Sequence, residues 1–394
     1  MQNFVFQNPT KIIFGRDTIS QIGQESRKYG ASALLVYGQN SVKKNGILQT
    51  VCETLRENGV SFVEHSGVKP NPVLSHAEEG IRKAKDNKVE MIIAIGGGSV
   101  IDEAKAIAAG SKVDYSVWDF YCRKKTVQQA LPVLTVLTLA ATGTEMNGRT
   151  VLTNEETQEK FVIGADPFYP KISILDPTTT FTVSREQTAY GAIDAASHLM
   201  EVYFTHSDDW FTPIQDRYSE GIIRSLIDAS YCCLEKADDY NARATIMWGA
   251  SLAWNGLAPS GVGRWFTPNH LIGMGMSALF DSPHGATISV SFSHWLSWFM
   301  KQSPENKARV EQFGREVFLL KESEFLAERT IEALKNWYSK LGSPIAPNEL
   351  GLDYAKMKLV AKKIESFAHF WMLPHYHSDF VLSLFYEKEF IRNQ

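Results

Sequence analysis

The run EMIIAIGGG, residues 90–98, is apolar almost throughout and then breaks on three glycines. A strand with one wet face would alternate, so an unbroken apolar run predicts a strand covered on both faces. VIDEAKAIAAG follows at once and reads as a helix, with Gly110 as its stop. SALLVYG (32–38) is a run of the same kind, and VSFVEHS (60–66) follows a helical stretch. PVLTVLTLAAT and ISILDP add further apolar runs. Strands alternating with helices predict a largely parallel sheet with helices on both faces.

The pattern changes after ILDPTTTFTVSREQTAYG. DRYSEGIIRSLIDASYCCLEK, NARATIMWGASLAWNGL, NKARVEQFGREVFLL and AERTIEALKNWYSKLG all carry helical periodicity, and convincing strands are scarce. The Pro- and Thr-rich DPTTTFTVS serves as the connection. The expectation is an α/β domain over 1–184 and an all-helical domain over 185–394. With 394 residues and 44% hydrophobic side chains, such a chain buries a sizeable core without disulfide staples. A net charge of −4 gives no electrostatic footprint for nucleic acid. Cys52, Cys122, Cys232 and Cys233 form no CxxC pair, which fits a reducing cytoplasm. MQNFVFQNPTKIIFG has no basic segment followed by an apolar run, so no secretory signal is expected. No apolar stretch reaches the ~18 residues of a membrane span.

Two loops follow apolar strands. IGGGSVIDEAK (95–105) lets the backbone come close to a ligand and points helix N–H groups at it. It is equally readable as a tight β–α turn. TLAATGTEMN (138–147) offers Thr138, Thr142, Thr144 and Asn147, which suit phosphate or ribose, or cap a helix. Together they are stronger, because open α/β sheets bind ligands at the carboxyl ends of strands. The strand 32–38 runs into GQNSVKKNG. Gly38, Gln39, Asn40 and Ser41 bring no acid to the place where an NAD site sets a carboxylate against the ribose 2′-hydroxyl.

In GAIDAASHLME (191–201), Asp194 and His198 stand four residues apart and share one helix face. Either they hydrogen-bond in the core or they hold a metal. His270 and His284 lie downstream in PNHLIGMGMSALFDSPHGATISV. On one unbroken helix they would be ~21 Å apart, too far for one ion. DSPHG breaks the helix: Asp281 and Ser282 suit a cap, Pro283 a start. His270 then sits inside one helix and His284 begins the next, so one carboxylate and three imidazoles can surround a divalent ion. The other histidines show no such company in the sequence, and PHYHSD (374–379) reads as a surface turn.

GGGSVIDEAKAIA, TLAATGTEMN, GAIDAASHLME, His270 and SPHG together resemble the iron-containing, or group III, alcohol dehydrogenases. The likeness is greatest to NADPH-dependent butanol dehydrogenases and broad-range aldehyde reductases, and runs from FQNPTKIIFG (6–15) to about residue 320. The resemblance implies a dehydroquinate synthase-like fold, with a Rossmann-like N-terminal domain and a helical metal-binding C-terminal domain. It implies Asp194, His198, His270 and His284 as ligands of Fe2+ or Zn2+. It matches Gly97, Gly98 and Ser99 to the pyrophosphate turn, and Thr138, Thr142 and Asn147 to the cofactor loop. Asn71 and Lys160 match further nucleotide contacts. Asp102, close to the cofactor, and His270 match catalytic positions. Many relatives carry a histidine where this chain has Met274. With the acid-free turn at 38–41, the likeness implies NADP(H) and hydride transfer to a small aldehyde. The alternatives are an NAD-dependent glycerol-type dehydrogenase and a dehydroquinate synthase-like lyase, the latter needing more basic groups than SLAWNGLAPSGVGRWFTPNHLIGMGMSALF supplies. A homodimer is implied too, with NFVFQ as an edge strand.

Overall fold

The computed structural model describes residues 1–206 and 211–387. In chain order the first elements are β1 (Lys11–Phe14), α1 (Ile22–Ser26), β2 (Ser32–Tyr37), α2 (Ser41–Lys44), α3 (Ile47–Glu57), β3 (Ser61–Ser66) and α4 (Leu74–Asp86). Next come β4 (Met91–Gly96), α5 (Gly98–Gly110), α6 (Trp118–Tyr121), β5 (Val133–Leu137), β6 (Arg149–Asn154), β7 (Glu159–Gly164) and β8 (Ile172–Leu175). Helices follow: α7 (Arg185–Thr205), α8 (Pro213–Glu235), α9 (Tyr240–Ala253), α10 (Pro268–Phe280) and α11 (His284–Phe299). The last are α12 (Pro304–Val317), α13 (Leu326–Lys340), α14 (Tyr354–Ala368) and α15 (Ser378–Phe385).

Six strands form one parallel sheet in the order β1-β8-β5-β4-β2-β3. The central strands β4, β5 and β8 are buried at every residue, as their unbroken apolar runs require. The edge strands β1 and β3 are partly exposed. From β2 the chain steps outward to β3 and then returns past β2 to β4, so its direction across the sheet reverses between β2 and β4. In open α/β sheets that reversal marks the ligand crevice, at the carboxyl ends of the strands. The turns at 38–41, 97–99 and 138–142 leave β2, β4 and β5, three neighbours in this sheet.

Among the strands, β1 and the hairpin β6–β7 were not read from the sequence. The four-residue edge strand β1 is too short to show a period. The antiparallel hairpin β6–β7 alternates, yet its turn residues are mostly Glu, Thr and Gln rather than the Gly and Pro that mark hairpins.

The chain divides into two compact units, and a single cut at 184 does not describe them. The α/β unit contains Gln7–Val183 and Lys236–Gly256; the helical unit contains Met1–Phe6, Ser184–Glu235 and Leu257–Gln394. Helix α9 belongs with the sheet because its small residues take the 143–145 loop directly. The Ser251 hydroxyl donates to Glu145, and a Cβ on Gly143 would lie 2.7 Å from the Ala250 carbonyl oxygen. Met1–Phe6 groups with the helices, where Gln2 N donates to Gly261 O at 2.9 Å. NFVFQ is no strand: residues 1–10 carry no regular structure.

Candidate metal centre and nucleotide-binding turns

Helix α7 opens on Ser184, whose hydroxyl accepts from Gln187 N at 3.2 Å. Gly191, Ala192, Ala195 and Ala196 keep its middle slim, so neighbouring helices approach closely and Asp194 and His198 are buried. The break falls at DSPHG as expected, but Pro283 rather than Asp281 or Ser282 takes the N-cap position of the next helix, with no side-chain capping bond. Helix α10 ends at Phe280, Asp281 takes the left-handed conformation (φ 49°), Pro283 caps, and His284 is the first residue of α11.

These three helices bring Asp194, His270 and His284 into one cluster whose ligand atoms lie within 4.8 Å of one another, and His198 stands beside it with its ring stacked on that of His270 at 4.8 Å. Asp194 Oδ1 lies 3.9 Å from His198 Nε2, 3.8 Å from His270 Nε2 and 3.6 Å from His284 Nε2. The distances exceed hydrogen bonds, but they suit ligand atoms that share one ion at ~2.0–2.2 Å each. His270 supplies the sharpest test of fit. Its Nε2 is buried and has no hydrogen-bond partner, while its Nδ1 faces Glu201 Oε1 at 3.1 Å. A carboxylate accepts only, so Nδ1 carries the proton and the lone pair on Nε2 is turned toward Asp194. One carboxylate and three imidazoles suit iron or zinc.

Glu201 escaped the sequence reading. It also accepts from the backbone N–H groups of Asn269 (2.8 Å) and His270 (3.0 Å). Thr267 gives α10 no side-chain cap, and Glu201, fully buried on α7, takes that place beside the positive helix end. One carboxylate thus fixes both where α10 begins and which nitrogen of His270 is free to bind. The signal was present: Glu201 stands seven residues after Asp194, two turns on along the same face. A Glu201→Gln variant is expected to bind metal ~10–100-fold more weakly, the usual cost of losing such an orienting partner. Metal-binding titration of the purified variant checks this, and unchanged affinity would refute it.

The α/β unit holds the expected nucleotide residues. Gly97 caps α5, Gly98 and Ser99 open it, and a Cβ on Gly98 would come within 2.5 Å of Thr142 Oγ1. The glycine turn and the threonine loop are therefore in contact. Thr138 N donates to Gly96 O at 3.0 Å, extending the β5–β4 pairing into that loop. Asn71 and Lys160, 89 residues apart, meet: Lys160 Nζ donates to Asn71 Oδ1 at 2.7 Å. Gln39, Asn40 and Ser41 are exposed at the end of β2. Lys43 Nζ lies 5.2 Å from the Tyr37 ring, whose hydroxyl donates to Glu64. Asn147 is placed differently from its expected cofactor role. Both ends of its amide brace its own loop, donating to Gly143 O (2.9 Å) and accepting from Arg149 N (2.8 Å).

Asp102 is buried on α5, where the Thr144 hydroxyl donates to it at 2.6 Å. One turn on is Lys105, which the sequence reading passed over. Its ammonium, fully buried, donates to the carbonyls of Thr144 (2.7 Å), Asn147 (2.9 Å) and Arg149 (2.7 Å). Burial pushes the Asp102 carboxyl up and the Lys105 ammonium down from their usual ranges, each partly offset by the other. The pair ties the 143–149 loop to α5. Met274 is buried on α10 and offers no proton.

Comparison with known proteins identifies the class. Residues 9–177 match the iron-containing alcohol dehydrogenase family model, and 188–369 match the C-terminal model of the Fe-containing alcohol dehydrogenase family. The chain belongs to the iron-containing alcohol dehydrogenase family, nicotinamide-dependent enzymes that interconvert alcohols and aldehydes. It is 38% identical over 389 residues to a probable NADH-dependent butanol dehydrogenase of Bacillus subtilis, covering 98% of this chain and 99% of the relative. It is 32% identical to the NADPH-dependent aldehyde reductase YqhD of Escherichia coli, covering 93% of each. The crystal structure of the NADH-dependent butanol dehydrogenase A of Thermotoga maritima superposes with a TM-score of 0.91 at 40% identity, covering 98% of both chains. The fold is thus the dehydroquinate synthase-like one expected, and both family models are of alcohol dehydrogenases rather than lyases.

Proposed function

We propose that this enzyme reduces small, uncharged aldehydes such as butanal with NADPH, using a divalent ion, Fe2+ or Zn2+, held by Asp194, His198, His270 and His284. The observation that carries the metal reading is the convergence of three imidazoles on Asp194, with the buried Nε2 of His270 unpartnered and its other nitrogen held by Glu201. When bound, the ion supplies Lewis-acid polarisation of a carbonyl oxygen, and the nicotinamide supplies the hydride. The chain's own part is placement. The first turn of α5, opened by Gly98 and Ser99, aims its N–H groups at the pyrophosphate. Asn71 and Lys160 add contacts to the nucleotide, and Thr138 and Thr142 shape the loop beside it. Asp102, locked by Thr144 and Lys105, holds that loop against α5 near the cofactor. Met274 has no titratable proton, so position 274 takes no part in proton delivery. A panel of aldehydes with NADPH, read by the loss of its absorbance, tests the substrate reading; no turnover of butanal would overturn it.

NADPH is favoured because Gly38–Ser41 brings no carboxylate to the end of β2, and Lys43 and Lys44 stand in the next turn. Names of relatives point both ways, to NADH in the butanol dehydrogenases and NADPH in YqhD. The expected result is a higher kcat/KM with NADPH than with NADH. Gln39→Asp sets a negative charge against the 2′-phosphate. Like charges ~4 Å apart repel by about 1–4 kcal/mol near a protein surface, so kcat/KM for NADPH should fall roughly 10- to 100-fold. A wild-type preference for NADH would show this reading of the turn to be wrong. Four free cysteines support a reducing, cytoplasmic setting. Exposed Phe4, Val5 and Phe6 support a homodimer through the N-terminal segment.

A further inference from the structure

The expectation that the remaining histidines lack company fails in the α/β unit. His65 on β3, His76 on the first turn of α4 and Glu103 on α5 converge on one point, although 11 and 27 residues separate them in sequence. No local period could have shown this, because each comes from a different element. Their ligand atoms all lie within 4.8 Å of one another. His65 Nε2 is 3.2 Å and His76 Nδ1 2.7 Å from the same Glu103 oxygen, and the two rings stack at 4.2 Å.

We propose that His65, His76 and Glu103 form a second metal site, which takes a divalent ion of the zinc class.

His76 Nε2 lies 3.2 Å from the Ser66 carbonyl oxygen, and only an N–H can face a carbonyl. In a neutral imidazole the Nδ1 lone pair then points at a carboxylate oxygen, which repels it. A positive charge is needed there, supplied by a second proton on the ring or by a metal ion. The proton would leave Glu103 Oε2 idle, whereas one ion can engage the carboxylate and both rings. Glu103 and His65 are both fully buried, and Glu103 Oε2 has no hydrogen-bond partner. A buried carboxylate with an idle oxygen is costly unless a cation compensates it. The Ser66 contact is also the orienting bond that metal-binding imidazoles make with their other nitrogen.

The space and donor set agree. Zinc bonds of ~2.0–2.1 Å at tetrahedral angles set ligand atoms roughly 3.3 Å apart. His65 Nε2 already stands at that spacing from Glu103, and His76 Nδ1 needs about half an ångström. A Cβ on Gly80 would come within 3.0 Å of His65 Nε2, so a glycine here keeps a side chain off that nitrogen. His76 is 21% exposed, which gives an ion a way in and a water the fourth position. Two imidazoles and a carboxylate suit zinc, iron, nickel or copper more than magnesium or calcium. The bound ion would clamp the edge strand β3 to α4 and α5.

The test counts zinc. Full-length protein, stripped and reloaded with Zn2+ alone, is analysed for metal per chain, alongside His76→Ala and Glu103→Gln. Each variant is expected to hold one ion fewer than the parent, whatever the occupancy at Asp194. Equal zinc content in the parent and His76→Ala would overturn the proposal. Should a variant fail to fold, an anomalous-scattering map of zinc-loaded parent crystals reads the same site. A peak bonded to His65, His76 and Glu103 is expected, and its absence there would equally overturn the proposal.

Discussion

Replacing His270 by alanine is expected to remove the ion beside Asp194 and nearly all aldehyde reduction, while the chain stays folded. The fold survives for a specific reason. Glu201 loses one partner but keeps the backbone N–H groups of Asn269 and residue 270, so the buried carboxylate is not stranded and α10 keeps its cap. The remaining cost, a buried ring and one hydrogen bond, is about 1–3 kcal/mol against the ~5–15 kcal/mol that holds a protein folded. Activity has no such reserve. Loss of a Lewis acid worth several kcal/mol, taken as ~4, is about a thousandfold in rate. Metal analysis, a thermal melt and NADPH oxidation on the same preparation check this. A folded variant that reduces butanal at the wild-type rate would remove His270 from the site.

The second large effect comes from a residue that touches no metal. Gly285 follows His284 where α11 starts, and a Cβ there would lie 2.4 Å from the Tyr190 carbonyl oxygen and 2.7 Å from its Cα. No rotamer relieves a clash with backbone. In Gly285→Ala the first turn of α11 must therefore back away from α7, carrying His284 from Asp194, now 3.6 Å distant. Alanine's better helix propensity returns ~1 kcal/mol, but overpacking costs about 1–3 kcal/mol, so the clash wins. A displacement near an ångström is enough to cost ~100-fold where ligands must converge. The variant is expected to melt a few degrees lower and bind metal roughly 10- to 100-fold more weakly. Wild-type affinity would show that α11 can tilt without moving His284.

The legible parts of this protein are those written locally. The buried strands announced themselves as unbroken apolar runs because both faces are covered. Asp194 and His198 were legible because a helix places i and i+4 side by side, and DSPHG because each of its residues favours a helix boundary. What stayed hidden depends on partners distant in sequence. Glu201 matters through the start of α10, 68 residues on. Lys105 matters through carbonyls of the 143–149 loop. His65 and His76 meet Glu103 only after β3, α4 and α5 have packed. The allegiance of α9 to the sheet was illegible for the same reason, since its helical period says nothing about what it packs against.

The most direct measurement is butanal reduction with NADPH by wild-type protein stripped of metal by a chelator, before and after Fe2+ or Zn2+ is returned. Stripped protein should be folded and inactive, and activity should return with the ion in wild type but not in His270→Ala. Full activity in the stripped, metal-free enzyme would contradict the account.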